Sequence, residues 1–148
     1  MRFVLIGGLA ANILGSPSLT FDVDVCYARD EDNLERLADA LVGLSARLRG
    51  APEGLPFVLD ARTLRNGLNF TFQTDAGPLD CLGQPAGVAG FEELERSARS
   101  VELAGTPVLV VSLDDLIRMK EAAGRPKDRV ELEILGALRE EIDKRGSA

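Results

Sequence analysis

Apolar and polar positions change period along the chain, and the changes divide it into elements. Arg2 to Ile6 (RFVLI) is a short apolar run with two β-branched residues and a Phe, which predicts a buried strand ended by Gly7 and Gly8. Leu9 to Leu14 (LAANIL) holds good helix formers, enough for one to two turns. Phe21, Val23 and Val25 then alternate with Asp22, Asp24 and Cys26, the period of a strand, so the apolar set is expected to face the core and both carboxylates to project together on the other side. From Asp30 to Arg49 the leucines at 34, 37, 41, 44 and 48 recur at spacings of three and four, predicting an amphipathic helix capped by Asp30 or Asp32.

Beyond this helix, Gly50–Pro56 reads as a loop and Phe57–Asp60 as a short strand. Asn69–Thr74 alternates, with Phe70 and Phe72 inward, and the Asp75-Ala76-Gly77 turn leads to Pro78–Leu82, making a hairpin that carries Asp80 on its second strand. Gln84–Gly90 is a loop and Phe91–Arg96 a short helix. Ser100–Ala104 and Thr106–Val111 read as strands about a turn at Gly105. Ser112, with Asp115 three residues on, starts a helix from Leu113 to Ala123 that bears Lys120 and ends at Gly124. Pro126 suits the first turn of a last helix running to about Lys144, with Val130, Leu132, Ile134, Leu135 and Leu138 available for packing. The expected architecture is α/β (α+β): a mixed, twisted sheet of about five strands with helices packed mainly on one face. One domain spans 1–148, with the helices from about 113 packing on it. Gly7-Gly8 lacks the G-x-G-x-x-G spacing of a dinucleotide-binding turn.

Composition narrows the chemistry. A length of 148 residues with 45% apolar content supports one domain with a core. No apolar run is long enough to span a bilayer, and RFVLIGG lacks the core and cleavage site of a signal peptide, so a cytoplasmic protein with no membrane partner is expected. Cys26 and Cys81 form no metal-binding pattern and are expected as reduced thiols, brought close together if Asp24 and Asp80 are close. The absence of histidine eliminates Ser-His-Asp, Cys-His and His-ligated zinc mechanisms. A net charge of −7 argues against broad nucleic-acid binding but leaves room for one RNA end at a local basic patch.

Two features carry candidate chemistry. Strand, glycine pair and helix start allow backbone N–H groups to approach an anion, although a tight turn made by glycine has the same signature. Asp22 and Asp24 on one face of a strand repel unless a cation or proton lies between them, and hard cations such as Mg²⁺ take oxygen ligands of this kind. A strand with a simply solvated outer face is the alternative for both, as an exposed strand carboxylate is for Asp80.

The glycine pair followed about a dozen residues later by T-x-D-x-D (Gly7, Gly8, Thr20, Asp22, Asp24) resembles the signature of the DNA polymerase β-type nucleotidyltransferase superfamily. Within it, the AbiEii-type toxin and minimal nucleotidyltransferase branches are most similar. Asp80 in GPLDCLG matches the third carboxylate of that family, and Met119–Leu135 resembles the C-terminal lysine helix and R-x-K-D segment of the branch. Ser18 stands where a basic residue often precedes the motif. Relatives also carry a helix ahead of the glycine strand, so a minimal member, a truncated start or an N-terminus completed by a partner is expected. The resemblance implies a nucleotidyltransferase fold and transfer of an NMP from an NTP to a hydroxyl of a macromolecule, a tRNA 3′ end or a protein, in a toxin–antitoxin context with a cognate partner. It implies Mg²⁺, or Mn²⁺ in its place, on Asp22, Asp24 and Asp80, with Asp80 also accepting the acceptor's proton. It further implies Gly7, Gly8 and Thr20 at the nucleotide, Lys120 on the phosphates as a catalytic cation, and Arg125 and Lys127 as further nucleotide contacts. Lys127 and Asp128 are site-adjacent candidates; a solvated helix lysine is the alternative for Lys120, and an ordinary first-turn acid for Asp128. Transfer to a small molecule such as an antibiotic, and a non-catalytic nucleotide- or partner-binding module of the same fold, are the alternatives.

Overall fold

A computed structural model describes residues 1–52 and 54–146; Glu53, within the loop expected over Gly50–Pro56, lies outside the described residues. A seven-stranded mixed sheet forms the centre, in the order β3-β4-β5-β2-β1-β7-β6, two strands more than the five or so expected. The strands are β1 Phe3–Ile6, β2 Val23–Tyr27, β3 Arg47–Leu48, β4 Asn69–Thr74, β5 Gly77–Leu82, β6 Arg99–Leu103 and β7 Thr106–Val110. Around them stand α1 Gly7–Leu14, α2 Glu31–Gly43, α3 Ala61–Asn66, α4 Phe91–Glu95, α5 Leu113–Ala123 and α6 Asp128–Gly146.

β1 runs antiparallel to β2 and parallel to β7, and β2 runs parallel to β5. The pairings Ile6↔Asp24 and Asp24↔Asp80 place these three residues side by side on one face, which α5 overlies with Leu116 and Met119. The opposite face carries Leu5, Val25 and Cys81 and is covered by α2 through Leu37 and Leu41. Val4 and Cys26 on one face and Leu5, Val25 and Cys81 on the other are buried, so the middle of the sheet is apolar on both sides apart from the two aspartates. No helix among the described residues is long and apolar enough to cross a membrane.

Four expectations are corrected. The helix from Asp30 does not reach Arg49. Its start is capped by the Asp30 carboxylate, which accepts from the Asn33 N–H at 3.2 Å, but it ends at Gly43. The chain turns through Ser45, at φ 52°, and Arg47–Leu48 join the sheet beside Phe72 and Gln73. Sheet pairing there outweighs the helical spacing of Leu44 and Leu48. Second, Phe57–Asp60 is not a strand: Phe57 packs near Phe72 with ring centres 6.4 Å apart, and Asp60 caps α3 by accepting from the Thr63 N–H at 2.8 Å. Third, Phe21 does not face the core but is 86% exposed, because it precedes the first paired residue of β2; Val23, at the strand's edge, is also exposed. Fourth, the last helix begins at Asp128 rather than Pro126, after a turn in which the Asp128 N–H donates to the Arg125 carbonyl at 3.0 Å. Leu135 is its buried contact, while Val130 faces solvent.

The remaining elements follow their local signals. Ser112 caps α5 by accepting from the Asp115 N–H at 3.2 Å, and Gly124 ends it in the left-handed region at φ 62°. α5 packs against both α1 and α6. Cys26 and Cys81 lie on neighbouring strands but one residue out of step, since Val25 pairs with Cys81 and Cys26 with Leu82. They therefore point to opposite faces and are free, buried thiols. Burial pushes each up to about 12, helped by Glu92 for Cys26 and by Asp80 and Asp24 for Cys81, which leaves both unreactive at neutral pH.

Candidate active site

β1 delivers the chain directly into α1. At the junction Gly7 adopts φ 71°, a conformation that disfavours any side chain, and a Cβ there would lie 2.8 Å from Cγ of Asp24. At Gly8 a Cβ would lie 2.7 Å from Oγ1 of Thr20. The two glycines are thus needed, on this geometry, to seat Asp24 and Thr20 against the start of the helix.

The segment between α1 and β2 is held at several points. The Asn12 side-chain amide donates to the carbonyls of Ser16, at 3.0 Å, and Ser18. The hydroxyls of Ser16 and Ser18 donate to the two carboxylate oxygens of Glu131, the first at 2.9 Å. Ser18 is therefore an anchor between this segment and α6.

Asp24 and Asp80 meet in the middle of the sheet. Asp24 has its pKa pushed up to about 6, first by burial, then by the charge of Asp80, a hydrogen bond between the two carboxyls and the charge of Asp22, while Lys120 pulls it down. Asp22 is exposed at the same cavity, two residues before. Oδ1 of Asp80 is buried and accepts no hydrogen bond; Nη2 of Arg49 stands 2.9 Å away as an ion pair without hydrogen-bond alignment. Arg49 also donates to the Phe72 carbonyl at 2.7 Å. The helix expected to run as far as Arg49 hides this contact in the sequence. No local pattern signals a contact that runs across β4 to β5.

On the far side, Lys120 of α5 lies 3.5 Å from Oδ1 of Asp128, and Nε of Arg125 donates to Oδ2 at 2.8 Å. Asp128 is 3% exposed. Burial alone would raise its pKa, but the hydrogen bond from Arg125 and the charges of Lys120 and Arg125 outweigh this, and the net shift is downward.

A cavity of about 710 Å³ joins these groups. Gly7, Gly8, Thr20, Asp22, Asp24, Asp80, Lys120, Arg125, Lys127 and Asp128 all line it. Every site residue singled out in the sequence is thus brought to one place, with the carboxylates at the sheet and the cations on α5 and the turn after it. Among the described residues no three acidic, histidine or cysteine side chains form a ready-made metal cage. The donor chemistry nonetheless fits a hard divalent cation: two adjoining carboxylates, a third two residues away, and a buried oxygen that accepts no hydrogen bond.

No protein-family model matches this sequence, and no curated protein does. Among solved structures, the chain is similar to the lincosamide antibiotic adenylyltransferase LnuA with lincomycin bound, at a TM-score of 0.58 and 12% identity, over 93% of this chain and 87% of that one. At that identity the likeness speaks for the fold alone. The seven-stranded mixed sheet with its helices is a nucleotidyltransferase fold.

Proposed function

We propose that this chain is a divalent-cation-dependent nucleotidyltransferase that moves an NMP from an NTP to an acceptor hydroxyl. The observation that carries the proposal is the shared cavity, which Asp22, Asp24 and Asp80 line together with Lys120, Arg125 and Lys127. A nucleoside triphosphate bound to a metal has that charge pattern: a cation to be held by carboxylates, and phosphates to be neutralised by lysine and arginine.

Asp22, Asp24 and Asp80 would hold the cation, Mg²⁺ or Mn²⁺. Bound there, it would neutralise phosphate charge and lower the pKa of an acceptor hydroxyl. Lys120, fixed by Asp128, and Arg125 and Lys127 orient the triphosphate and offset its charge. Gly7 and Gly8 line the cavity, where the backbone N–H groups at the start of α1 would meet the phosphates. The acceptor oxygen forms its bond to the α-phosphorus as the bond to pyrophosphate breaks in line, and Asp80 takes the hydroxyl proton.

For the acceptor, the motif resemblance to the AbiEii-type branch supports a macromolecule, either a tRNA 3′ end or a protein hydroxyl, with a cognate toxin–antitoxin partner. A second reading, a small antibiotic as acceptor, is favoured by the fold likeness to LnuA, an antibiotic adenylyltransferase. Incubation with each α-labelled NTP and, separately, total tRNA, co-purifying protein or a lincosamide distinguishes the two. Label transferred to tRNA or protein supports the first reading and label on the drug the second. No transfer to any acceptor, by folded protein that binds NTP, would overturn catalysis and leave a binding module.

A further inference from the structure

Asp80 already has a cation of its own. Arg49 follows the two-residue edge strand β3, and its N–H donates to the Thr71 carbonyl at 2.9 Å. Thr71 pairs with Asp80, so backbone register alone brings Arg49 to the strand next but one from its own. The guanidinium then passes the Phe72 carbonyl and stands 2.9 Å from Oδ1 of Asp80. That is the same oxygen that is buried and accepts no hydrogen bond.

We propose that Arg49 is a built-in counter-ion of Asp80 that competes with the divalent cation, so that loading of the site requires the guanidinium to give up this oxygen. The proposal rests on the assignment of Asp22, Asp24 and Asp80 as the metal site. A guanidinium and a metal ion cannot both take one carboxylate oxygen at contact distance without strong repulsion. Arg49 has somewhere to go: its side chain is 34% exposed and retains the Phe72 carbonyl as an acceptor. Asp80 is 20% exposed, so the pair is only partly screened by solvent and its charge matters to the site. The pairing also keeps the facing carboxylates of Asp24 and Asp80 tolerable while no metal is bound. Arg49 is thus a positioning residue acting through Asp80, not a group that touches the substrate.

Mn²⁺ binding to the full chain without nucleotide, followed by electron paramagnetic resonance on wild type, Arg49→Gln and Arg49→Lys, tests the proposal. The expected result is that Arg49→Gln binds Mn²⁺ about three- to tenfold more tightly than wild type, while Arg49→Lys, which keeps the charge, stays within about twofold. A folded Arg49→Gln that binds Mn²⁺ no more tightly overturns the proposal and leaves Arg49 a structural link between β3 and β4. Should Arg49→Gln not fold, the wild-type Arg49 Nε–H resonance is followed through a Mg²⁺ titration. Displacement predicts a saturable shift, and a resonance unmoved at saturating Mg²⁺ overturns it. Absence of Mn²⁺ binding by every folded form would overturn the metal assignment itself, whereas wild-type binding that Arg49→Gln leaves unchanged overturns the role of Arg49 alone.

Discussion

The space that a side chain on Gly7 would need is filled by the carboxyl of Asp24. A Cβ there would sit 2.8 Å from Cγ of Asp24, and the backbone at φ 71° disfavours an L-residue in any case. Gly7→Ala is expected to destabilise the fold by about 2 kcal/mol or more and to weaken divalent-cation binding by displacing Asp24. Gly8→Ala should be milder, since its Cβ would meet the Thr20 hydroxyl at ordinary φ. Denaturant unfolding of the two variants, with Mn²⁺ binding alongside, checks both effects; equal losses would contradict the account.

Ionised Asp24 costs the metal-free fold stability. With its pKa at about 6 in the folded chain, against 3.8 ordinarily, the native state keeps a proton that the unfolded chain has released between these values. Stability therefore falls as pH rises through that window and stays lower above it. Asp24→Asn, measured in chelator, is expected to exceed wild type by about 1–3 kcal/mol at neutral pH and to match it near pH 4. A variant no more stable than wild type at neutral pH would contradict this.

Asp128 has the opposite sign. Its folded pKa is lowered, so its contribution is present above the unfolded value and is lost as pH falls through the folded one. Asp128→Asn leaves Lys120 and Arg125 without their shared, buried carboxylate and should cost about 2–4 kcal/mol at neutral pH. The gap to wild type should close as the solution becomes acidic. Thermal melts across pH would show it.

Lys120 is expected to act on the nucleotide more than on the fold. Lys120→Met should weaken NTP binding about tenfold, a loss of a charge-assisted contact, with Arg125 still holding Asp128. Calorimetric titration of NTP reads this directly. Unchanged affinity would remove Lys120 from the site.

Much of this arrangement was legible in the sequence because local signals and site chemistry coincide. The hairpin turn at Asp75–Gly77 sets the register that carries Asp80, and the alternation at 22–26 places Asp24 on the same face as its neighbour. Other features were not legible, for identifiable reasons. Alternation tells which residues share a face but not where pairing begins, so Phe21 fits the core pattern in the sequence and yet is exposed in the fold. Leu44 and Leu48 continue a helical spacing by coincidence, and only pairing with Phe72 reveals that the second of them belongs to a strand. Arg49 reaches Asp80 only because β3 pairs with β4, a non-local contact that no local signal announces. The glycines announce a turn, but their need to make room for Asp24 and Thr20 depends on the pairing of β1 with β2.

The most direct test of the central claim is calorimetry of all four NTPs, with and without Mg²⁺, on wild type and on the Asp22→Ala/Asp24→Ala double variant. The account predicts Mg²⁺-dependent binding of at least one NTP by wild type, abolished in a double variant that remains folded. No NTP binding by well-folded wild type, or binding that survives loss of both aspartates, would contradict it.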